Sequence, residues 1–175
     1  MADRRSVQQQ HERAVVQDFL AWLNARHGAQ FKVIAEPNPP DAIIQSVRAT
    51  RWVEVTDTFW TDAYAQDLYS YATPGEEHKA VGPGPFAGMD ESFSSQFVQA
   101  IENKLKKRSY LPFLEKYGEG YLLVPINHPW FDGGTIQQMK VLWRAKQPVQ
   151  NLRCFKDVYI VFTSLNRRAF RRWHV

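Results

Sequence analysis

The chain has 175 residues, 44% of them hydrophobic and 14% aromatic, with a formal charge of +4 at neutral pH. That is enough for one domain with a sizeable core, and it places the chain among globular proteins rather than disordered ones. A single cysteine, Cys154, excludes an internal disulfide and argues against a thiolate metal cluster, and no apolar run approaches the roughly 20 residues a bilayer demands. The polar segment 1–13 has no apolar signal core, so a cytoplasmic location without a membrane partner is expected.

Taken in order, Ser6 and Gln9 have the spacing of a capping box. Val16, Phe19, Leu20 and Leu23 then recur at helical spacing, which predicts a first helix ending at His27-Gly28. Residues 31–35 predict a strand, closed by the turn at Pro37, Pro39 and Pro40. Proline cannot donate to a ladder, so a second strand starts at about Asp41, and a hairpin through 48–50 leads to a third over 51–57. Tyr64, Leu68 and Tyr71 predict a helix over 61–71. The Gly- and Pro-rich stretch 73–91 reads as an insertion within the domain.

Phe93, Phe97, Ile101 and Leu105 share one side of a strong helix over 92–108. A buried strand follows at 121–126, then a helix over 135–145, a last strand at 158–162 and a basic tail. The order αβββαβαβ puts hairpins first and helical crossovers later. It predicts an α/β fold, a mixed sheet of four to five strands flanked by helices.

Two acids stand out against that pattern. Asp41 opens one apolar, β-branched run and Glu54 sits inside another, between Val53 and Val55. An ionised carboxylate in a buried strand costs several kcal/mol unless something pairs with it. Two of them at about 4 Å repel by a further ~4 kcal/mol at an effective dielectric near 20. Such a pair calls for a cation, and a divalent metal meets the need. The two share a sheet face only if the hairpin loop holds an even number of residues.

On these residues the chain resembles the PD-(D/E)xK, or restriction-endonuclease-like, nuclease superfamily. The resemblance rests on Pro40-Asp41, on Glu54-Val55-Thr56, and on helices before and after the sheet. It implies a nuclease domain in which Asp41 and Glu54 bind Mg2+ (or Mn2+) and a phosphodiester of nucleic acid is hydrolysed. The family's lysine two residues past the glutamate is replaced here by Thr56, which can orient a water but brings no charge. Some members carry that lysine elsewhere, and Lys104, continuing the stripe of Phe97 and Ile101, is the first candidate, with Lys32 and Lys107 behind it. Glu36 is a further metal ligand or a salt-bridge partner. Glu12 is retained because acids of the first helix assist metal binding in parts of the superfamily.

Lys106, Lys107 and Arg108 form one basic cluster and Arg167, Arg168 and Arg171 another. A charge run taken alone is a solvated face. Under the resemblance both clusters would track phosphates, DNA ahead of RNA, and a homodimer is compatible with it. The alternative is a nuclease-fold module that binds nucleic acid or protein without turnover. The five histidines are scattered, and no phosphate-binding Gly-rich loop with a following lysine is present.

Overall fold

The computed structural model describes residues 4–82, 88–146, 153–164 and 167–173. Pro83, Gly84 and Pro85 of the anticipated insertion lie outside the described residues. Helix α1 (Arg4–His27) buries Val15, Val16, Phe19, Leu20 and Leu23 along one stripe. It stops at Gly28, whose φ of +61° suits a residue without Cβ. Asn24 then ties the helix to the next strand, giving its amide to the Phe31 carbonyl and accepting from the Phe31 N–H at 2.9 and 2.7 Å.

Seven strands follow among the described residues: β1 (Lys32–Ala35), β2 (Ala42–Gln45), β3 (Thr50–Val55), β4 (Thr58–Phe59), β5 (Gly120–Asn127), β6 (Phe155–Ser164) and β7 (Arg167–Arg172). They form a mixed sheet in the order β1-β2-β3-β5-β6-β7, with β4 alongside β5. The meander β1–β3 is antiparallel, β3, β5 and β6 are parallel, and β7 returns antiparallel to β6. Helices α2 (Asp62–Ala72), α3 (Met89–Leu105) and α4 (Leu111–Tyr117) fill the crossover from β3 to β5, and α5 (Gly133–Lys146) fills that from β5 to β6.

Period-two alternation splits the core into two layers. Val53, Val55, Tyr121, Leu123, Tyr159 and Val161 face α1. Trp52, Leu122, Val124, Val158 and Ile160 face α3 and α5, against Phe93, Phe97, Ile101, Met139 and Trp143. Trp52 is the pivot of the second layer. It stacks on Tyr110 at 5.2 Å, donates its indole N–H to the Gly118 carbonyl at 2.8 Å, and lies so close to Gly120 that a Cβ there would fall 2.4 Å from its ring.

The mixed sheet agrees with the expectation from sequence, but it has seven strands rather than four or five. The basic tail is not solvated coil. It folds as β7, with Phe170 and the following Trp173 buried while its arginines line an edge. The hairpin turns at 46–49, where Ser46 N–H bonds to the Ala49 carbonyl at 2.9 Å, instead of at 48–50. Ser6 lies inside α1, which begins at Arg4, rather than at the N-cap position ahead of it. Helix α3 runs from Met89 to Leu105 rather than over 92–108, because Gly88 turns the chain at φ +69° and α4 begins a new direction soon after. Among the described residues no helix is long and apolar enough to cross a membrane.

Candidate functional site

The hairpin register brings the two acids together. Gln45 faces Thr50 and Ala42 faces Val53, so the four-residue loop places Asp41 directly across from Glu54 on the face that meets α3. Asp41 is delivered by the proline turn, in which Asn38 sits at φ +41° and the bonds to Pro39 and Pro40 are cis. Its Oδ2 accepts the Val55 N–H at 2.6 Å. Glu54, only 3% exposed, meets Lys104 from α3 through an ion pair at Oε1, and the same ammonium lies 3.4 Å from the Val55 carbonyl. Thr56, just past β3, opens on the same space while its N–H is bound to the Leu123 carbonyl at 2.9 Å.

These groups open on a cavity of about 540 Å3. Four carboxylates line it, Glu12, Asp41, Glu54 and Asp57, against three cations, Arg5, Lys104 and Lys107. Burial and, after it, this crowding of like charge both act on the acids. Burial first, and the neighbouring Glu54 charge second, push the Asp41 carboxyl up to about 7, although the Val55 N–H works against the rise. Burial also raises Glu12, with the charges of Asp57 and Glu54 adding to it. Behind Glu54, burial and then the carboxylate's field hold the Tyr110 phenol far above its ordinary value, so it stays protonated. The Tyr110 hydroxyl and Glu54 Oε2 face one another without closing a hydrogen bond of normal geometry, and both are buried.

Asp57 belongs to the site and escapes a reading of the sequence, where it looks like an ordinary turn aspartate. Its Oδ1 is held by His11 Nε2 at 3.0 Å and by the Asn127 amide at 3.1 Å. That hydrogen bond to Asp57 raises His11, against the opposing pull of burial. Neither partner is near it in sequence.

Other candidates fall elsewhere. Glu36 is engaged by Arg13, at 2.6 Å to Nη2 and 2.8 Å to Nε, and does not line the cavity. Lys32 lies on the outer strand β1. Lys106 pairs with Glu102 at 3.6 Å, and Arg108 starts a 3-10 turn beyond α3. Of the proposed phosphate-tracking residues, Lys107 alone reaches the acid cavity. Arg167, Arg168 and Arg171 sit on β7 at the opposite side of the sheet, where Arg168 is paired with Asp18.

A divalent ion fits this set. Glu54 keeps a buried oxygen without a hydrogen bond, and burial together with the Glu54 charge pushes the Asp41 carboxyl up to about 7. Among the described residues no three His, Cys, Asp or Glu side chains close on one point. An ion here would therefore take Asp41, Glu54, a main-chain oxygen and water. Such a set would leave most of the positions around an ion to water.

No family model and no curated protein matches the chain. Among solved structures the chain is similar to SfsA of Pyrococcus furiosus in complex with Ca2+, at 11% identity over 97% of this chain and 63% of that one, with a TM-score of 0.33. This chain thus spans less than two thirds of that chain's length, and so loose a likeness carries no conclusion about chemistry.

Proposed function

We propose that this chain is a divalent-metal-dependent hydrolase of nucleic-acid phosphodiesters, of the PD-(D/E)xK kind. The observation that supports it most is the opposed Asp41–Glu54 pair with Lys104 brought onto it from α3. Asp41, Glu54 and the Val55 carbonyl would hold the ion, which when bound polarises a phosphoryl oxygen and acidifies a water. Lys104 Nζ holds the attacking water in place of the missing motif lysine, and the Thr56 hydroxyl orients it. Lys107 and Arg5 hold the phosphate at the mouth of the cavity, and DNA is the polymer to try first. The Asp57–His11 pair keeps β3 and α1 in register around the acids.

The test is cleavage of plasmid and labelled oligonucleotide in Mg2+ or Mn2+ by the native chain and by Glu54→Gln. Loss of about 10²–10³ in rate is expected, the usual result of removing one electrostatic stabiliser. Equal rates in the two proteins end the reading.

A second reading, a nucleic-acid-binding module without turnover, draws on the ion pair itself. Lys104 already occupies Glu54 Oε1, and threonine stands at the motif position. Retention of nucleic acid with no metal-dependent turnover, indifferent to Glu54→Gln, would favour it.

A further inference from the structure

A second cavity, which hydrolysis at the acids does not use, lies at the other edge of the sheet. β7 is the last strand in the order, and no described strand pairs with its outer side. Trp22 and Arg26 of α1 approach it from one face of the sheet and Lys140 of α5 from the other, and with β7 they bound a cavity of about 650 Å3. Arg26, Lys140, Arg171 and Arg172 line it, with no described carboxylate among them. Arg172 is held by Asp157, but none of the described ion pairs involves Arg26, Lys140 or Arg171.

Three cations from three elements that converge on one cavity repel each other and lower the free energy of any polyanion that enters. The wall between them is aromatic. Trp22, partly buried, packs on Tyr159 and Phe170 and carries the Arg26 guanidinium 5.8 Å from its ring centre. Cations that follow a backbone beside an aromatic face that receives a base are the elements of single-strand recognition. The volume lies within the range of small-ligand pockets, about 300–1,000 Å3, which admits a nucleotide or two and not a duplex.

We propose that this groove binds single-stranded nucleic acid, with phosphates on Arg26, Lys140 and Arg171 and a base against Trp22. Its consequence for substrate choice rests on the hydrolase reading: the enzyme would hold an unpaired strand or overhang. The row Val55, Leu123, Tyr159, Arg172 crosses the sheet, so the seated strand lies three strand spacings, about 14 Å, from the acid pair. Binding itself requires neither metal nor Glu54.

The experiment is fluorescence anisotropy of a labelled oligothymidylate of about 12 nucleotides, with chelator present throughout, across about 50 to 300 mM salt. The proteins are the native chain, Glu54→Gln and the triple variant Arg26→Gln/Lys140→Gln/Arg171→Gln, whose three sites are exposed. The triple variant should bind at least 10-fold more weakly at low salt. Its slope of log affinity against log salt should shrink by about 2, since each phosphate left without its cation removes about 0.7. Glu54→Gln should bind as the native chain does. An unchanged affinity and slope in the triple variant overturns the proposal. So does equal competition by a duplex of the same length, and so does a poly-glutamate peptide that displaces the oligonucleotide at lower concentration. Intact binding with no cleavage in metal leaves the groove standing and removes the hydrolase, so the two failures are told apart.

Discussion

The acid cavity at β2–β3 and the basic groove at β7 depart from neutrality in opposite senses, and the way each is built explains why. In the cavity the charges are pressed inward: Glu54 is 3% exposed and Lys104 is drawn against it. In the groove the cations sit on the outside, on a strand edge and on two helix surfaces. Burial makes the first imbalance energetically costly and hence informative about an ion. Exposure makes the second inexpensive, so it acts through long-range attraction and salt dependence rather than through stability. The same sheet thus carries one charge imbalance shaped by desolvation and one shaped by field.

Breaking the buried pair should have the largest effect. Lys104→Met leaves the buried Glu54 without its partner, which should cost about 3–5 kcal/mol in urea unfolding, whereas Lys104→Met with Glu54→Gln should recover most of that loss. A single variant as stable as the native chain would mean that the pair is solvated after all.

Asp41→Asn should move stability the other way. The folded carboxyl titrates near 7 and an unfolded one near 3.8, so the native state binds the extra proton. Its contribution is full below about pH 4 and is lost as pH rises through 7. Asp41→Asn should therefore match the native chain near pH 4 and exceed it by about 2–4 kcal/mol above pH 7, read as melting temperature against pH. Millimolar Mn2+ should raise the melting temperature of the native chain above pH 7 and leave Asp41→Asn unmoved. A flat difference across pH would dispose of the raised carboxyl.

The smallest effect belongs to the exposed edge. Arg168→Ala removes the ion pair to Asp18, whose carboxylate is half exposed, and should cost less than about 1 kcal/mol, vanishing in high salt. A loss of several kcal/mol would show that β7 is clamped to α1 there and that the contrast between the two regions is overdrawn.

How much of this is legible without coordinates depends on whether the signal is local. Asp41 and Glu54 can be read because a charge inside a β-branched run is a departure from pattern. Lys104 can be read because it continues the stripe of Phe97 and Ile101. Asp57 cannot be, since its importance comes from His11, 46 residues back, and Asn127, 70 residues on. β7 is obscured by composition: an edge strand with one buried position in six looks like a solvated basic tail until its partner β6 is known. α4 spans seven residues, too few for a helical period to declare itself. The basic residues are legible as cations but not as a place, because tertiary packing assigns Lys107 to one cavity and Arg171 to the other.

The ammonium that meets Glu54 arrives from the final turns of a helix 50 residues further along the chain. A fragment ending before that helix would carry both acids without the ammonium that pairs with Glu54, so proteolysis or premature termination should yield a hairpin that opens or aggregates rather than a weak version of the whole. Activity, where present, is in that sense a proofreading mark of completed packing.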